Sequence, residues 1–354
     1  MLRAFTYLER RAAGDFSPDT NLETFPSFEP QQRRADTGLS PWGLFEAYVT
    51  TRKPARSTVD RQRSVFIQMQ KDFPEGSANA LTEDQARKWI GGLVTAERAP
   101  VTVRDVWLSA SRTVFSWGVK HKHVHRNPFS DVHVDVPKKP QLRETKAFTL
   151  AEATIILRAS LAFENPKRTF QRAQRWVPWL CAYSGARSGE LCQLRGRDVE
   201  KRDGFYVMKF TPEAGTIKTG NVRTVPLHEH LIEQGFIEFV ASIGDGPLFY
   251  NPSEDSAETV IDPTNPPRPR YVKTRERLAA WVRDLGVSDP EVSPNHGWRH
   301  TFKLMADRGG IPEKMHDAIT GHSQKSVARG YGTPPVEDRA AAMKLFPRFT
   351  LSDD

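Results

Sequence analysis

The stretch from Asn295 to Tyr331 concentrates the side chains that could do chemistry. It reads Asn295-His296-Gly297-Trp298-Arg299-His300-Thr301-Phe302, then an amphipathic run, then Gly321-His322-Ser323 and Arg329-Gly330-Tyr331-Gly332. His296 and Arg299 lie three apart and share one helical face. His322 follows, and Tyr331 comes nine positions after it. The set offers two acid–base imidazoles, a guanidinium fork for an oxyanion and a phenol. Attack on a phosphodiester through a tyrosine would need all of these. His300 repeats His296 at zinc-ligand spacing, but the metalloprotease pattern needs Glu after the first His and position 297 is Gly, so no metal is expected.

Upstream, Arg187 follows the break Ser184-Gly185, Ser188 is placed to cap a helix, and Glu190 lies one turn on. A helix start carries partial positive charge, so an Arg there favours an anion at that point. Taken alone, Arg187 and Glu190 read as a surface pair worth under about 1 kcal/mol. Lys218 falls at a strand–strand loop tip beside Thr219 and Gly220, where a lysine is commonly just a turn residue. His322 after Gly321 could equally serve a helix C-terminus.

The elements that must position these residues follow from periodicity. Residues 1 to 38 are interrupted by Pro18, Pro26 and Pro30 and read as an arm. From Ser40-Pro41 the pattern turns helical, with Trp42, Leu44, Phe45, Tyr48 and Val49 recurring. A second helix from about Ser57 turns Val59, Val65, Phe66 and Met69 inward. Thr82 and Gln85 open a third as a capping box. A fourth runs from near Thr102 through Val106, Leu108, Ala110, Val114, Phe115 and Val119. Residues 39–135 thus form an all-helical domain. Its last helix and exit are basic, through Arg104, Arg112, Lys120, Lys122 and Arg126. His121, His123 and His125 alternate here, a spacing that suits phosphate contact or solvent better than a closed metal site.

Residues 136–147 form a proline-stiffened linker with Lys138, Lys139, Arg143 and Lys146, which suits either a solvated connection or a clamp closing on a duplex. Beyond it, Thr149 to Glu152 restarts helix and 173–183 is a strongly apolar helix. Phe205–Phe210 and Arg223–Leu227 read as strands, 229–241 and 271–285 as helices, and 251–270 as a Pro-rich excursion. The fold class is therefore mainly α with a small antiparallel β-sheet, in two domains.

Composition narrows the partners. The chain has 354 residues, 38% of them hydrophobic, and Lys+Arg (51) exceed Asp+Glu (43) to give a net charge of +8. That excludes a disordered class and favours a polyanion. No apolar run approaches the ~18 residues needed to span a bilayer, and no secretory leader is expected. Cys181 and Cys192 make neither a disulfide framework nor a metal knuckle and read as small hydrophobes, which points to a reducing, cytoplasmic compartment.

Five segments together resemble the tyrosine recombinases of the phage-integrase family. They are Tyr183-Ser184-Gly185-Ala186-Arg187-Ser188-Gly189-Glu190-Leu191, then Lys218-Thr219 before Arg223-Thr224-Val225-Pro226-Leu227, then His296 to Phe302, Gly321-His322-Ser323 and Tyr331-Gly332. They occur in the family's order with fitting gaps. The resemblance implies a two-domain DNA clamp, with a core-binding domain at 39–135 and a catalytic domain at 148–335. It implies Tyr331 as nucleophile, forming a 3′-phosphotyrosyl link and releasing a 5′-hydroxyl without ATP, metal or other cofactor. Arg187 and Arg299 would clamp the phosphate oxygens, with Glu190 supporting Arg187. Lys218 would be the general acid, His296 would assist proton transfer and His322 would hydrogen-bond the phosphate. Arg104, Arg112, Lys120, Lys122, Lys138 and Lys139 are the candidate DNA contacts.

The implied partners are double-stranded DNA, further copies in a tetramer, and an accessory DNA-bending or directionality factor, in a bacterial cytoplasm with no membrane. The tail 336–354 would pack on a neighbouring subunit. No arm-binding domain is evident in 1–38. The implied role is integration and excision of a mobile element. A DNA-relaxing topoisomerase of the same chemistry and a non-catalytic DNA-binding regulator are the alternatives.

Overall fold

Ser40 accepts a hydrogen bond from the Gly43 amide and Pro41 fills the first helical position, so α1 (Pro41–Arg52) starts where the sequence places it. The computed structural model describes residues 9–17, 38–74, 76–138, 140–215, 222–252, 268–322 and 332–351. It divides into two units, Met1–Lys138 and Lys139–Asp354, with the division inside the basic linker.

In the first unit α1 is followed by α2 (Arg56–Asp72) and α3 (Glu83–Gly92). Thr82 and Gln85 cap α3 reciprocally, each side chain meeting the other's backbone amide. Then α4 (Pro100–Thr102), a π-helical turn at Val103–Leu108 and α5 (Ser109–Lys120) run on without a break. Leu44, Phe45, Val65, Phe66, Val114, Phe115 and Phe129 fill the core. Each such side chain contributes about 1.5–3 kcal/mol by leaving water. Val119, next to the last residue of α5, is exposed, and Val103 at the start of the π turn is buried.

The second unit opens with a linker that is docked rather than free. The Leu142 and Arg143 amides donate to Glu291, and the Arg143 guanidinium pairs with Glu152 and Asp289, both at 2.9 Å. Arg143 therefore serves structure, not phosphate. α6 (Leu150–Leu161) carries the Thr149–Glu152 capping box. α7 (Thr169–Ser184) is the central rod and buries Trp179, Leu180 and Tyr183. α8 (Ser188–Cys192) leads to an antiparallel sheet of β1 (Val199–Arg202), β2 (Phe205–Phe210) and β3 (Arg223–Pro226), in that order. Met208 of β2 pairs with Val199 and with Val225.

The single helix expected over 229–241 is two, α9 (Glu229–Glu233) and α10 (Phe236–Ile243). Gly235 at φ 83° separates them, in a conformation that a helix interior cannot hold. α11 (Arg270–Asp284), α12 (Gly297–Arg308), α13 (Glu313–Thr320) and α14 (Val336–Met343) complete the unit.

The described part of the tail packs on its own unit. Phe346 and Phe349 join the core, the Phe349 amide donates to the Tyr183 hydroxyl at 3.1 Å, and Arg348 pairs with Glu229 and Glu233. Cys181 and Cys192 are buried and unpaired with each other, and burial pushes both thiols up, Cys192 to about 12. Among the described residues no helix is long and apolar enough to cross a membrane.

Candidate active site

α7 stops at Gly185, which adopts φ 56° and is pressed against Phe302 and Thr320. A Cβ there would fall within 2.7 Å of Thr320 and 2.8 Å of Phe302. This contact joins the ends of α7 and α13 to the middle of α12. The Gly185 carbonyl accepts from Arg299 Nη1 at 2.9 Å, and the Thr320 carbonyl accepts from the same nitrogen at 2.6 Å. Arg299 is thus held by backbone oxygens from two elements, with its side chain only 2% exposed.

The next helix begins at Arg187. Its cap is Arg187 itself, not Ser188 as the sequence suggested. Ser188 lies inside the helix and donates instead to the Asn295 side chain at 3.1 Å, tying α8 to the residue before His296. α8 has only five residues, so its dipole adds little at Arg187. Glu190 does more. It is 2% exposed and receives Arg187 Nη1 on one oxygen at 2.8 Å and Arg223 Nη2 on the other at 2.8 Å. Burial alone would raise its carboxyl, but Arg223 and then Arg187 outweigh that and hold it below the usual range.

Arg223 is the residue that sequence reasoning missed. It enters from β3, lies over the Phe210 ring at 4.7 Å and packs beneath the turn before His322. A Cβ on Gly321 would sit 2.0 Å from Arg223 Nη1, and Gly321 holds φ 71°, so glycine is required there twice over. A signal was present. Arg223 and Val225 share a strand face, and Val225 is fully buried, so Arg223 is a cation on an apolar face.

His322 meets Arg299 through both ring nitrogens, Nε2 to Nε at 3.3 Å and Nδ1 to Nη2 at 3.1 Å, with Thr320 Oγ1 at 2.9 Å from Nδ1. A neutral imidazole offers one acceptor, so only one of the two Arg299 contacts is a donated bond at a time. Burial, then Arg299 and Lys303, pull the imidazole down to about 4 against the opposing pull of Asp317. Asp317 is itself engaged by Lys303 at 2.7 Å. His322 is therefore neutral at neutral pH.

Arg299 is pulled down to about 10 by burial and then by Arg187 and Arg223. Among the described residues no carboxylate pairs with it. Three guanidiniums face one carboxylate, which leaves two positive charges to be matched from outside. Planar forks with uncompensated charge suit an oxyanion such as a phosphate.

The other expected residues divide. His296 caps α12 three residues before Arg299 and is exposed, with its ring edge-on to His300 at 5.2 Å. Gly297, which follows it, is packed closely: a Cβ there would lie 2.7 Å from the Phe148 ring. Tyr331 and Lys218 lie outside the described residues, as does Lys139. Arg104, Lys120, Lys122 and Lys138 are exposed. Arg112 departs from the expected DNA contact. It donates to the Phe129 carbonyl at 2.9 Å, to that of Ser130 at 3.1 Å and to that of Val132, so it latches the exit segment to α5. His121 and His123 stack on Trp117 at 4.6 and 5.1 Å. Among the described residues no group of His, Cys, Asp and Glu is placed to hold a metal.

No protein-family model matches the chain, and no curated protein matches it by sequence. Solved structures do match it by shape. A lambda integrase tetramer bound to a Holliday junction superposes with a TM-score of 0.60 at 15% identity, covering 92% of this chain and 89% of that one. The XerH site-specific recombinase bound to its difH substrate gives 0.53 at 14% identity, over 84% and 82%. The Tn1549 transposon integrase in complex with circular intermediate DNA gives 0.51 at 17% identity, over 86% and 98%. The mainly helical architecture with its three-stranded antiparallel sheet is thus the fold of the tyrosine recombinases.

Proposed function

We propose that this chain is a tyrosine-type site-specific DNA recombinase that integrates and excises a mobile element. The observation that carries the reading is the Arg187–Glu190–Arg223 and Arg299–His322 cluster, a pre-formed oxyanion cradle on the fold of DNA recombinases. The Tyr331 oxygen attacks the scissile phosphorus, and the bond to the 5′ oxygen breaks. A 3′-phosphotyrosyl link forms, and the leaving 5′ oxygen takes a proton from Lys218. The phosphodiester energy is kept in the new bond, so religation by a second 5′-hydroxyl needs no ATP. Arg187 and Arg299 donate to the non-bridging oxygens as charge builds there, and neutral His322 adds a hydrogen bond. His296 assists the proton leaving Tyr331. The exposed cations Arg104, Lys120, Lys122 and Lys138 supply phosphate contacts along the duplex. The neighbours' complexes, one of them a tetramer on a Holliday junction, support assembly as a tetramer on two duplexes.

The test is covalent trapping. The protein is incubated with nicked duplexes from its own genomic neighbourhood, denatured, and the attached DNA is sequenced. The expected result is an adduct at one sequence, lost in Tyr331→Phe while DNA binding persists. An adduct retained by Tyr331→Phe overturns the assignment of the nucleophile. Adducts scattered over many sequences favour a relaxing topoisomerase, and binding without any adduct favours a regulator.

A further inference from the structure

The Asp317 carboxylate has three partners near it and is held by the one outside the cradle. Lys303, one turn beyond Arg299 on α12, places its Nζ 2.7 Å from Asp317 Oδ1. The same oxygen lies 3.7 Å from His322 Nδ1 and 3.7 Å from His316 Nδ1, beyond hydrogen-bond reach of both. The Lys303–Asp317 pair is partly buried and so is screened less than a surface pair. The Asp317 backbone is fixed too, because its carbonyl accepts from the Gly321 amide at 2.8 Å and the His322 amide at 3.1 Å. The carboxylate therefore stays beside His322, and Lys303 decides which way it points.

That direction matters to the imidazole. His322 Nδ1 has two donors closer than Asp317, Thr320 Oγ1 at 2.9 Å and Arg299 Nη2 at 3.1 Å, while the Arg299 contact at Nε2 is longer, 3.3 Å. With Nδ1 accepting, the ring proton sits on Nε2 and is available to a phosphate oxygen. A carboxylate turned onto Nδ1 would draw the proton there and favour the imidazolium. It would also offset the charge of Arg299, on which Asp317 already acts. We propose that Lys303 is a positioning residue of the cradle, which by holding Asp317 keeps His322 neutral with its proton on Nε2. The use of that proton rests on the recombinase reading, and the arrangement does not.

The charges around the ring act in the same sense. Arg299 and Lys303 from α12 and Arg187 from the start of α8 oppose an imidazolium, Asp317 from α13 favours one, and Arg223 from β3 lies beneath Gly321. His316 is the competing destination for a released carboxylate. Its Nε2 already lies 3.3 Å from Asp307 Oδ1, so a second carboxylate there would meet like charge. On the His322 side it would meet guanidiniums.

Histidine side-chain 1H–15N spectra of the full chain, recorded across pH without DNA, read both the titration midpoint and the tautomer of His322. Its signal is identified by its loss in His322→Asn. The wild type is expected to carry the Nε2–H tautomer at neutral pH. In Lys303→Met the midpoint should rise by at least about one pH unit and Nδ1 should become protonated. Lys303→Arg should restore both, and adding Asp317→Asn to Lys303→Met should remove most of the rise. On nicked duplexes Lys303→Met should lower adduct formation about tenfold at neutral pH, with recovery in Lys303→Arg.

If the pair is only a structural bridge, Lys303→Met lowers the melting temperature and leaves the His322 signals as they were, and the proposal falls. It falls equally if the wild type already carries the proton on Nδ1, if the His316 signal moves in place of His322, or if adduct formation is unchanged while the His322 signals shift. The wild-type spectrum needs no variant to fold. It also needs no DNA, so failure of the wild type to form any adduct would refute the recombinase reading while the spectra still decide the role of Lys303.

Discussion

Glu190→Gln is the sharpest perturbation of the proposed cradle. The carboxylate is buried and matches two guanidiniums, one on each oxygen. Removing one partner of a buried ion pair costs about 3–5 kcal/mol, because the remaining charge loses its match. Arg187 is a quarter exposed and water relieves part of its loss, whereas the Arg223 side chain is only 9% exposed and gains little relief. Glutamine keeps the shape and one accepting oxygen. The expected loss is therefore about 3 kcal/mol, at the low end of that range. For a unit of roughly 200 residues this lowers the melting temperature by about 6–12 °C. Adduct formation on a nicked duplex should fall about a hundredfold, because Arg187 no longer holds its donor direction when charge develops on the phosphate. Combining Glu190→Gln with Arg223→Met should cost less than the two single losses added, since the double variant leaves one fewer unmatched charge. Circular dichroism melts and a gel assay of trapped DNA read both effects. A melting temperature within about 2 °C of wild type would refute the reasoning, because it would mean that water already screens both pairs.

Other consequences are equally direct. Gly321→Ala should lower stability by at least about 1 kcal/mol from its positive φ alone, and more from the collision with Arg223, measured by chemical denaturation. Arg112→Ala should destabilise the first unit and leave the salt dependence of DNA binding unchanged. Lys120→Ala with Lys122→Ala should do the reverse, lowering the slope of log K against log salt by up to about 0.9 per lost phosphate contact. His322 is neutral down to about pH 4 when folded and titrates near 6.5 when unfolded. The unfolded chain takes the proton first on acidification, so the stability His322 contributes above about pH 6.5 is lost as pH falls towards 4. Comparing wild type with His322→Asn across that window isolates it from His228, His230 and His300, which burial also pulls down.

Local signals in the sequence were readable wherever a few adjacent residues decide the outcome. The Ser40-Pro41 start and the Thr82–Gln85 and Thr149–Glu152 capping boxes depend on neighbours three residues apart, and all form as expected. The Gly185 stop is equally local. What periodicity could not reveal was long-range pairing. Arg112 and Arg143 look like any other cation in a basic run. Their partners, backbone carbonyls at 129–132 and carboxylates at 152 and 289, are fixed only by the fold. The same reason hid Arg223, whose partner Glu190 lies thirty-three residues away. β1 was missed because Val199-Glu200-Lys201-Arg202 carries one apolar residue and is held by pairing with β2. The π turn at 103–108 leaves no mark in an apolar pattern that reads as one helix.

The buried arginines of the second unit show how charge separates scaffold from site. Arg195 is matched by Asp198, a pair that fixes local geometry with little charge left over, whereas Arg223 shares Glu190 with Arg187. Arg339 is buried and no carboxylate pairs with it among the described residues, yet it donates to the Thr224 and Pro335 carbonyls and so pins α14 to β3. Arg299 likewise donates to two carbonyls, but it also faces an imidazole held neutral, and it stands beside two further guanidiniums. Its hydrogen bonds are satisfied while its charge is not, which positions a clamp in advance and leaves the attraction for a ligand.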